Sequence, residues 1–422
     1  MSDTSKHIVI VGAGAAGLMA ARELARAGKR VTILEARDRC GGRIHPLPAS
    51  EFGYAADGGA EFVHGEAPVT RALLSEAGLS LQAIEGTQWS YDGIRISRGG
   101  RDNPHDAELH AALRELKDDL TVAEFLRRHF AGDKYAGMRH AIERMVEGYD
   151  AAEPERASTL ALRDEWMDGG LHSQGRVVGG YGALIEFLAA ECRRHRVAMQ
   201  FGCEVSAIDE GDTIAVRCVG GEAFTCDKVM LTVPLPLLSK IVLPQVAREK
   251  AAAAADIGFG NVIKIFLRFG RPWWHDRTEG LADLTFLLSD ETIPVWWTQN
   301  PSDHPVLTGW FGGPRTAELS HLDSQGLINA GISSLATIFG LTRDDLVRDL
   351  VASEAANWAH DRFARGAYSW ATPRTRAAQE ILARADGPVL FSGEALYRGR
   401  DMGTVEAALA SGQETAGLIL QG

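Results

Sequence analysis

Gly12-x-Gly14-x-x-Gly17 stands directly after a continuous apolar run, His7–Val11, and before a stretch rich in Ala, Leu, Met and Arg that closes at Gly28. Those residue types at that spacing suit a dinucleotide. Gly12 permits a tight turn, Gly14 removes the side chain that would block a pyrophosphate, and Gly17 lets helix and strand pack closely. The helix N-terminus, with the small Ala13 and Ala16 beside it, offers N–H groups and a partial positive charge to phosphates. A second apolar run, Arg30–Leu34, ends in Glu35, 18 positions past Gly17, close to the spacing at which a carboxylate meets ribose hydroxyls. Ala36 and Arg37 follow. The pair Gly41-Gly42 with Arg43 then adds a second close-approach turn and a guanidinium whose planar fork engages phosphate oxygens two at a time.

A second clamp of this kind is not usual in NAD-dependent dehydrogenases. Here the chain resembles the two-dinucleotide-binding flavoproteins, which makes FAD the favoured ligand. Late in the chain, Gly393-Glu394-Ala395 precedes Gly403-Thr404-Val405 and a small-residue helix pattern. A helix N-terminus placed there would stabilise the negative charge that a reduced isoalloxazine ring gains. Lys264 lies in the run Val262–Phe269, where strand alternation puts Ile263, Ile265, Leu267 and Phe269 on one apolar face. The lysine shares the other face with Val262 and Phe266. Taken alone it reads as a solvated strand lysine, and Tyr368 reads as a core tyrosine.

These residues need elements to carry them. Short strands with turns occupy 196–233, ending in Val233-Pro234-Leu235-Pro236, since neither proline can serve a central ladder. Residues 69–175 read as mostly helical, with a capping box at Thr121-x-x-Glu124. Residues 183–192 and 245–256 read as helices. Strands are expected at Val262–Phe269, Leu284–Leu288, 295–298, 306–311 and Val389–Phe391. Helices are expected at 325–339, 344–358 and from about 403 to 420. The fold class is α/β: a two-dinucleotide-binding, Rossmann-like domain formed by 1–70, 176–250 and 367–422. A substrate domain of 71–175 and 251–366, a helical insertion plus a mixed sheet, interrupts it twice.

In motif order the chain resembles the flavin-containing amine oxidases: monoamine oxidases, polyamine oxidases and lysine-specific histone demethylases. The resemblance rests on VGAGAAGL with LEARDRCGGR, GGAEFVHG, VPLPLL, GFGNVIKIFLRF, RGAYSW and GEALYRGRDMGTVEAALASG. It implies FAD held by the glycine loops, by Glu35, Ala36, Arg37, Arg43, Gly59, Ala60, Glu61, Val205 and Trp358, and by Gly393, Glu394, Thr404 and Val405. Ala367 stands where monoamine oxidases carry the cysteine that bonds to the coenzyme, so non-covalent FAD is expected. The resemblance casts Lys264 as the lysine that hydrogen-bonds a water at flavin N5 and assists reoxidation, so its loss should slow reoxidation more than reduction. Tyr368 becomes the aromatic wall of the amine site. Thr404 replaces the second aromatic of some monoamine oxidases, which tilts the expectation toward polyamine oxidases and demethylases.

Glu61 and His64 match a loop that faces the substrate in polyamine oxidases, where they could steer a second amino group or hold a proton, with a structural loop histidine as the other reading of His64. L-Amino-acid oxidases place an arginine in that loop, and none occurs between Asp57 and Gly65. Trp296, Trp297 and Trp310 are candidates to line the pocket. The implied reaction passes a hydride from the amine α-carbon to flavin N5, followed by imine hydrolysis and reoxidation by dioxygen to hydrogen peroxide. Two alternatives stand beside it: a flavin dehydrogenase or desaturase with another acceptor or a non-amine substrate, and a catalytically inactive flavin-binding interaction protein.

The rest of the chain bounds these readings. At 422 residues it can build two cores, and a formal charge of −12 disfavours nucleic acid or an anionic membrane as partner. Five cysteines (40, 192, 203, 218 and 226) show no metal-ligand spacing and leave one unpaired, which suits a reducing cytoplasm. No leader is evident and no apolar stretch reaches membrane-spanning length. The expectation is a cytoplasmic enzyme taking a small amine and dioxygen, with no metal.

Overall fold

Apolar runs buried on both faces become parallel strands, and the N-terminal third of the chain supplies two of them. A computed structural model describes residues 6–100, 103–167, 174–277 and 281–421. Its central sheet is wholly parallel, in the spatial order Val389–Phe391, Lys228–Leu231, His7–Val11, Arg30–Leu34, Ala198–Gln200. Ile8 and Ile10 face a layer of helices, Ala15–Arg26, Gly180–Arg194 and Val405–Gln421. Val9 and Val11 face the other way, against a three-stranded antiparallel sheet of Val205–Glu210, Ile214–Cys218 and Ala223–Cys226. The first helix crosses the first strand so closely that a Cβ at Gly17 would sit 2.0 Å from the Gly12 carbonyl oxygen. That contact is the physical reason for glycine at the third motif position.

A seven-stranded sheet forms the second layer system, ordered Leu350–Asn357, Val262–Phe269, Val306–Gly312, Val295–Trp297, Leu284–Leu288, Thr87–Tyr91, Ile96–Arg98. Ile263, Ile265, Leu267 and Phe269 pack into one core with the helix Ser324–Phe339, as alternation requires. Gly258–Gly260 pairs with Tyr368–Trp370, and this two-stranded ladder fixes the height of Tyr368 opposite Gly260. Helices from Asp106–Glu115 to Thr159–Met167 cluster around Leu113, Phe125 and Val146. Thr121 caps the helix Val122–His129 by accepting from the Glu124 N–H at 3.3 Å.

Three expectations are corrected. The stretch 344–358 is not one helix: Arg343–Asp349 is helical, and Leu350–Asn357 is a strand paired along Val262–Phe269. Its three alanines and one glutamate favour helix locally, and the long-range ladder overrides that preference. The span 69–175 is less helical than read, because Leu81–Ala83, Thr87–Tyr91 and Ile96–Arg98 are strands. Thr87–Tyr91 pairs with Leu284–Leu288, a partner about 200 positions away and invisible to any local pattern. Residues 168–173, at the end of that span, lie outside those described. Finally, Cys203 and Cys218 form a disulfide, while Cys40, Cys192 and Cys226 are free thiols. The bond joins two of the five cysteines whose odd number is read as suiting a reducing cytoplasm.

Among the described residues no helix is long and apolar enough to cross a membrane.

Candidate active site

One cavity of about 1670 Å³ runs from the N-terminal glycine loop to Tyr368. Gly12, Gly14, Ala16, Glu35, Ala36, Arg37, Gly42, Arg43 and Val205 line one part of it. Gly59, Ala60, Glu61, His64, Lys264, Trp358, Tyr368, Gly393, Glu394, Thr404 and Val405 line the rest. Ala13 and Gly17 stand behind the wall, Ala13 fully buried and Gly17 against Gly12.

The nucleotide part fits a dinucleotide on its own geometry. No protein atom lies within 4 Å of a Cβ built at Gly14, so the missing side chain opens directly on the cavity. A Cβ built at Gly42 would lie 3.7 Å from the Gly14 Cα, and Gly14 bridges to Gly41. No side chain caps the helix that begins at Ala15. Buried Glu35 accepts from the Ala13 N–H at 2.7 Å and the Arg37 N–H at 2.8 Å, joining the two loops with one carboxylate. Each oxygen keeps a lone pair for a ribose hydroxyl. Arg37 pairs with Asp361 at 2.6 Å. Arg43 donates to the Ala367 carbonyl at 2.8 Å and to Glu394 at 2.7 Å, tying the first loop to the C-terminal motif.

At the other end, Trp310 stacks on Tyr368 with ring centroids 6.4 Å apart and planes 18° from parallel. Both rings are anchored to the end of the helix Ala136–Gly148: Trp310 Nε1 donates to the Gly148 carbonyl at 2.7 Å, and the Tyr368 hydroxyl donates to the Tyr149 carbonyl at 2.6 Å. Thr404 donates to the Asp401 carbonyl at 2.6 Å and accepts from the Ala407 N–H at 3.2 Å, so its hydroxyl starts the last helix. Trp358 packs with Val262 and Ala151 beside Tyr368. Trp297 and Trp310 line the cavity. Trp296 does not: it is fully buried in the core of the seven-stranded sheet and donates to the Ile293 carbonyl.

Lys264 is buried, 1% exposed. Its ammonium donates to the Asp57 carbonyl at 2.7 Å, the Gly59 carbonyl at 3.1 Å and Glu61 Oε2 at 2.8 Å. An ammonium has three N–H donors, and these partners account for all three. The other Glu61 oxygen accepts from Arg176 Nε at 2.8 Å, Trp297 Nε1 at 3.1 Å and Gln299 Nε2 at 3.4 Å. Burial pushes the Glu61 carboxyl up, and the flanking Lys264 and Arg176 overcome it and hold the group below the usual carboxylate range. Glu61 thus holds Lys264 with one oxygen and Arg176, Trp297 and Gln299 with the other. Asp57 is pushed up to about 7 by burial and then by Glu61, with its Oδ1 unpartnered and its Oδ2 accepting from the Tyr181 N–H.

His64 faces Tyr149, its Nδ1 3.4 Å from the phenol oxygen, and burial lowers it to about 4. That shift favours the neutral imidazole. Arg176, Asp57, Gln299 and Tyr149 escaped the sequence reading. Arg176 lies 115 positions from Glu61 and reaches it only through strand pairing of Phe62–His64 with Gln174–Val177.

With the site described, relatives can be placed beside it. A family model described as flavin containing amine oxidoreductase matches residues 15–420. The chain belongs to this family. It is 28% identical to human lysine-specific histone demethylase 2, covering 98% of this chain and 53% of that protein. It is 26% identical to mouse lysine-specific histone demethylase 1B over the same shares, so it spans about half the length of both. Arabidopsis thaliana probable polyamine oxidase 4 is 26% identical, over all of this chain and 89% of that one. Putrescine oxidase bound to putrescine superposes with a TM-score of 0.80 at 20% identity over 99% of each chain. Cyclohexylamine oxidase from Brevibacterium oxydans gives 0.78 at 18% identity over 99% of each. Both share the fold of this family member.

Proposed function

We propose that this family member oxidises a small amine with non-covalently held FAD. The single supporting observation is one continuous cavity joining a dinucleotide cradle to an aromatic wall of Tyr368 and Trp310. When bound, the flavin supplies a two-electron acceptor for the hydride that leaves the amine α-carbon. The chain's own part is orientation and electrostatics. The amine arrives as a cation drawn to the Tyr368 and Trp310 faces and gives one N–H proton to solvent on entry, because only the neutral amine, with its lone pair free, can release a hydride from the α-carbon. Buried aromatics around it keep bulk water from the α-carbon, and the imine hydrolyses after release.

Acids gather at two places on the cavity wall, beside the arginines and lysines that also line it. Glu147, in the cavity wall, is raised by burial and by Glu143, Glu155 and Glu318, which marks a concentration of acids. Asp401 is raised by burial, Glu406 and Glu66. Monoamines, diamines and cyclic amines all carry the matching charge. Ala367 offers no nucleophile to the coenzyme.

The deciding experiment is anaerobic mixing of the yellow protein with a panel of monoamines, polyamines and cyclic amines. Bleaching by at least one supports the reading, and a flavin that no amine reduces refutes it. The resemblance further implies that dioxygen takes the electrons and leaves as hydrogen peroxide, and the clamp on Lys264 bears on that step.

A further inference from the structure

Hydrocarbon left uncovered inside a fold marks a place for an apolar guest. The sheet that carries Trp310 continues away from Tyr368 with such a surface. Val295 stands opposite Trp310 across a pair of antiparallel strands, Leu288 opposite Val295, and Phe286 opposite Trp297. Directly opposite residues share a face of the sheet, so these five side chains form one patch, and all five line the cavity. Phe286, Leu288, Val295 and Trp310 keep partial exposure, whereas Leu287 and Trp296, on the other face, are fully buried. From the strand of Trp310 to that of Leu288 the patch spans two strand spacings, about 10 Å. Phe62 closes its far end. The rings of Phe62, Phe286 and Trp297 lie 5.4 to 6.2 Å apart, centroid to centroid, with planes tilted by 57 to 58°.

Rings this close to one another leave no gap for an ammonium between them, so the corner is a wall and not a cation cage. Two of the rings already have cations on their faces: the Arg176 guanidinium lies 4.8 Å from the Phe62 centroid, and the Lys264 ammonium 5.4 Å from that of Trp297. Arg176 is fixed there by Glu61 and by the Thr298 and Asn300 carbonyls. Trp297 is fixed by the bond from its indole N–H to Glu61. A second ammonium on the substrate would lose its water here beside two like charges. A hydrocarbon ring instead finds edges and faces already tilted to receive it.

We propose that this corner is a subsite for a hydrocarbon ring: the substrate is an amine whose nitrogen-bearing carbon meets Tyr368 and whose ring, one to three carbons away, packs against Phe62, Phe286 and Leu288. Phe286 is then the residue that sets specificity, and linear diamines are the poor substrates. The inference deepens the amine oxidation proposed above and rests on it.

Holoprotein is mixed anaerobically with n-butylamine, 2-phenylethylamine, 1,4-diaminobutane or 1,8-diaminooctane, and the concentration dependence of flavin bleaching gives a second-order constant for each. That for 2-phenylethylamine exceeds the other three at least tenfold. Phe286→Ala and Phe62→Ala each cut the preference at least fivefold. Leu288→Trp, which fills the corner instead of emptying it, does the same and decides the matter if a truncated variant fails to fold. A diamine as good as 2-phenylethylamine, or a preference unchanged in the variants that fold, overturns the proposal. Ring binding is also read without chemistry, by titrating the flavin spectrum with alcohols. 2-Phenylethanol perturbs it at a concentration at least tenfold below that needed for 1-butanol, and Phe286→Ala removes the advantage. If no amine bleaches the flavin while that difference holds, the amine reading falls and the ring subsite stands. Equal binding of the two alcohols, with amines still bleaching, overturns the subsite alone.

Discussion

At the scale of single residues, the site divides into side chains that face the cavity and side chains that hold others still. Tyr368 belongs to the first kind. Removing its ring in Tyr368→Ala should lower kcat/KM for the preferred amine about tenfold, the loss of roughly 1–2 kcal/mol of aromatic contact with a partly desolvated cation. Tyr368→Phe keeps the face, loses the bond to the Tyr149 carbonyl, and should stay within about threefold. Equal losses in steady-state assays would assign the role to the hydroxyl instead. Asp57 is of the second kind, and its effect lies in stability. Its carboxyl titrates near 7 in the folded chain, pushed up by burial and Glu61, against 3.8 as its ordinary value. The folded state therefore holds a proton that the unfolded state has lost, and stability falls as pH rises from about 4 to about 7, by at most about 1.4 kcal/mol per unit. Asp57→Asn should flatten that part of the melting-temperature profile between those limits. An unchanged slope would remove Asp57 as its source. Glu61 shows what a motif leaves unsaid: its position was legible, and its orientation toward Lys264 and Arg176 was not, since Arg176 arrives from a distant strand.

At the scale of elements, the glycines of the first turn separate binding from folding. Gly17 meets the Gly12 carbonyl across the helix–strand crossing, whereas Gly14 borders open cavity. Gly17→Ala should cost about 1–3 kcal/mol through overpacking and lower the melting temperature of the apoprotein. Gly14→Ala should melt like the native apoprotein and fail to retain FAD on gel filtration. If both variants melt alike, the distinction drawn between the two contacts is wrong. Strands that are continuous, apolar and buried on both sides, such as His7–Val11 and Val389–Phe391, were legible because composition and position agree. Leu350–Asn357 was not, because its ladder partners decide its state and they stand some 90 residues earlier. The Cys203–Cys218 bond was equally hidden, since it depends on the pairing of Val205–Glu210 with Ile214–Cys218.

At the scale of the whole molecule, a net charge of −12 surrounds the cavity proposed to take an amine. Encounter should be electrostatically assisted, so kcat/KM for an amine cation should fall severalfold as salt rises from low values to about 0.5 M, where screening reaches only a few ångströms. The value of kcat should hold steady over the same range, and a salt-independent kcat/KM would confine charge effects to the cavity itself. Both chain ends meet at one coenzyme cradle through the Arg43–Glu394 pair, which is why the terminal motifs spoke clearly in the sequence while the middle spoke weakly. The substrate end is built differently. Its two stacked rings hang from the Gly148 and Tyr149 carbonyls, so the tail of a helix from the insertion serves as their mounting bracket. Divergence toward a new amine can therefore proceed by remodelling that bracket, swinging both rings together while the chemistry beneath them is inherited untouched.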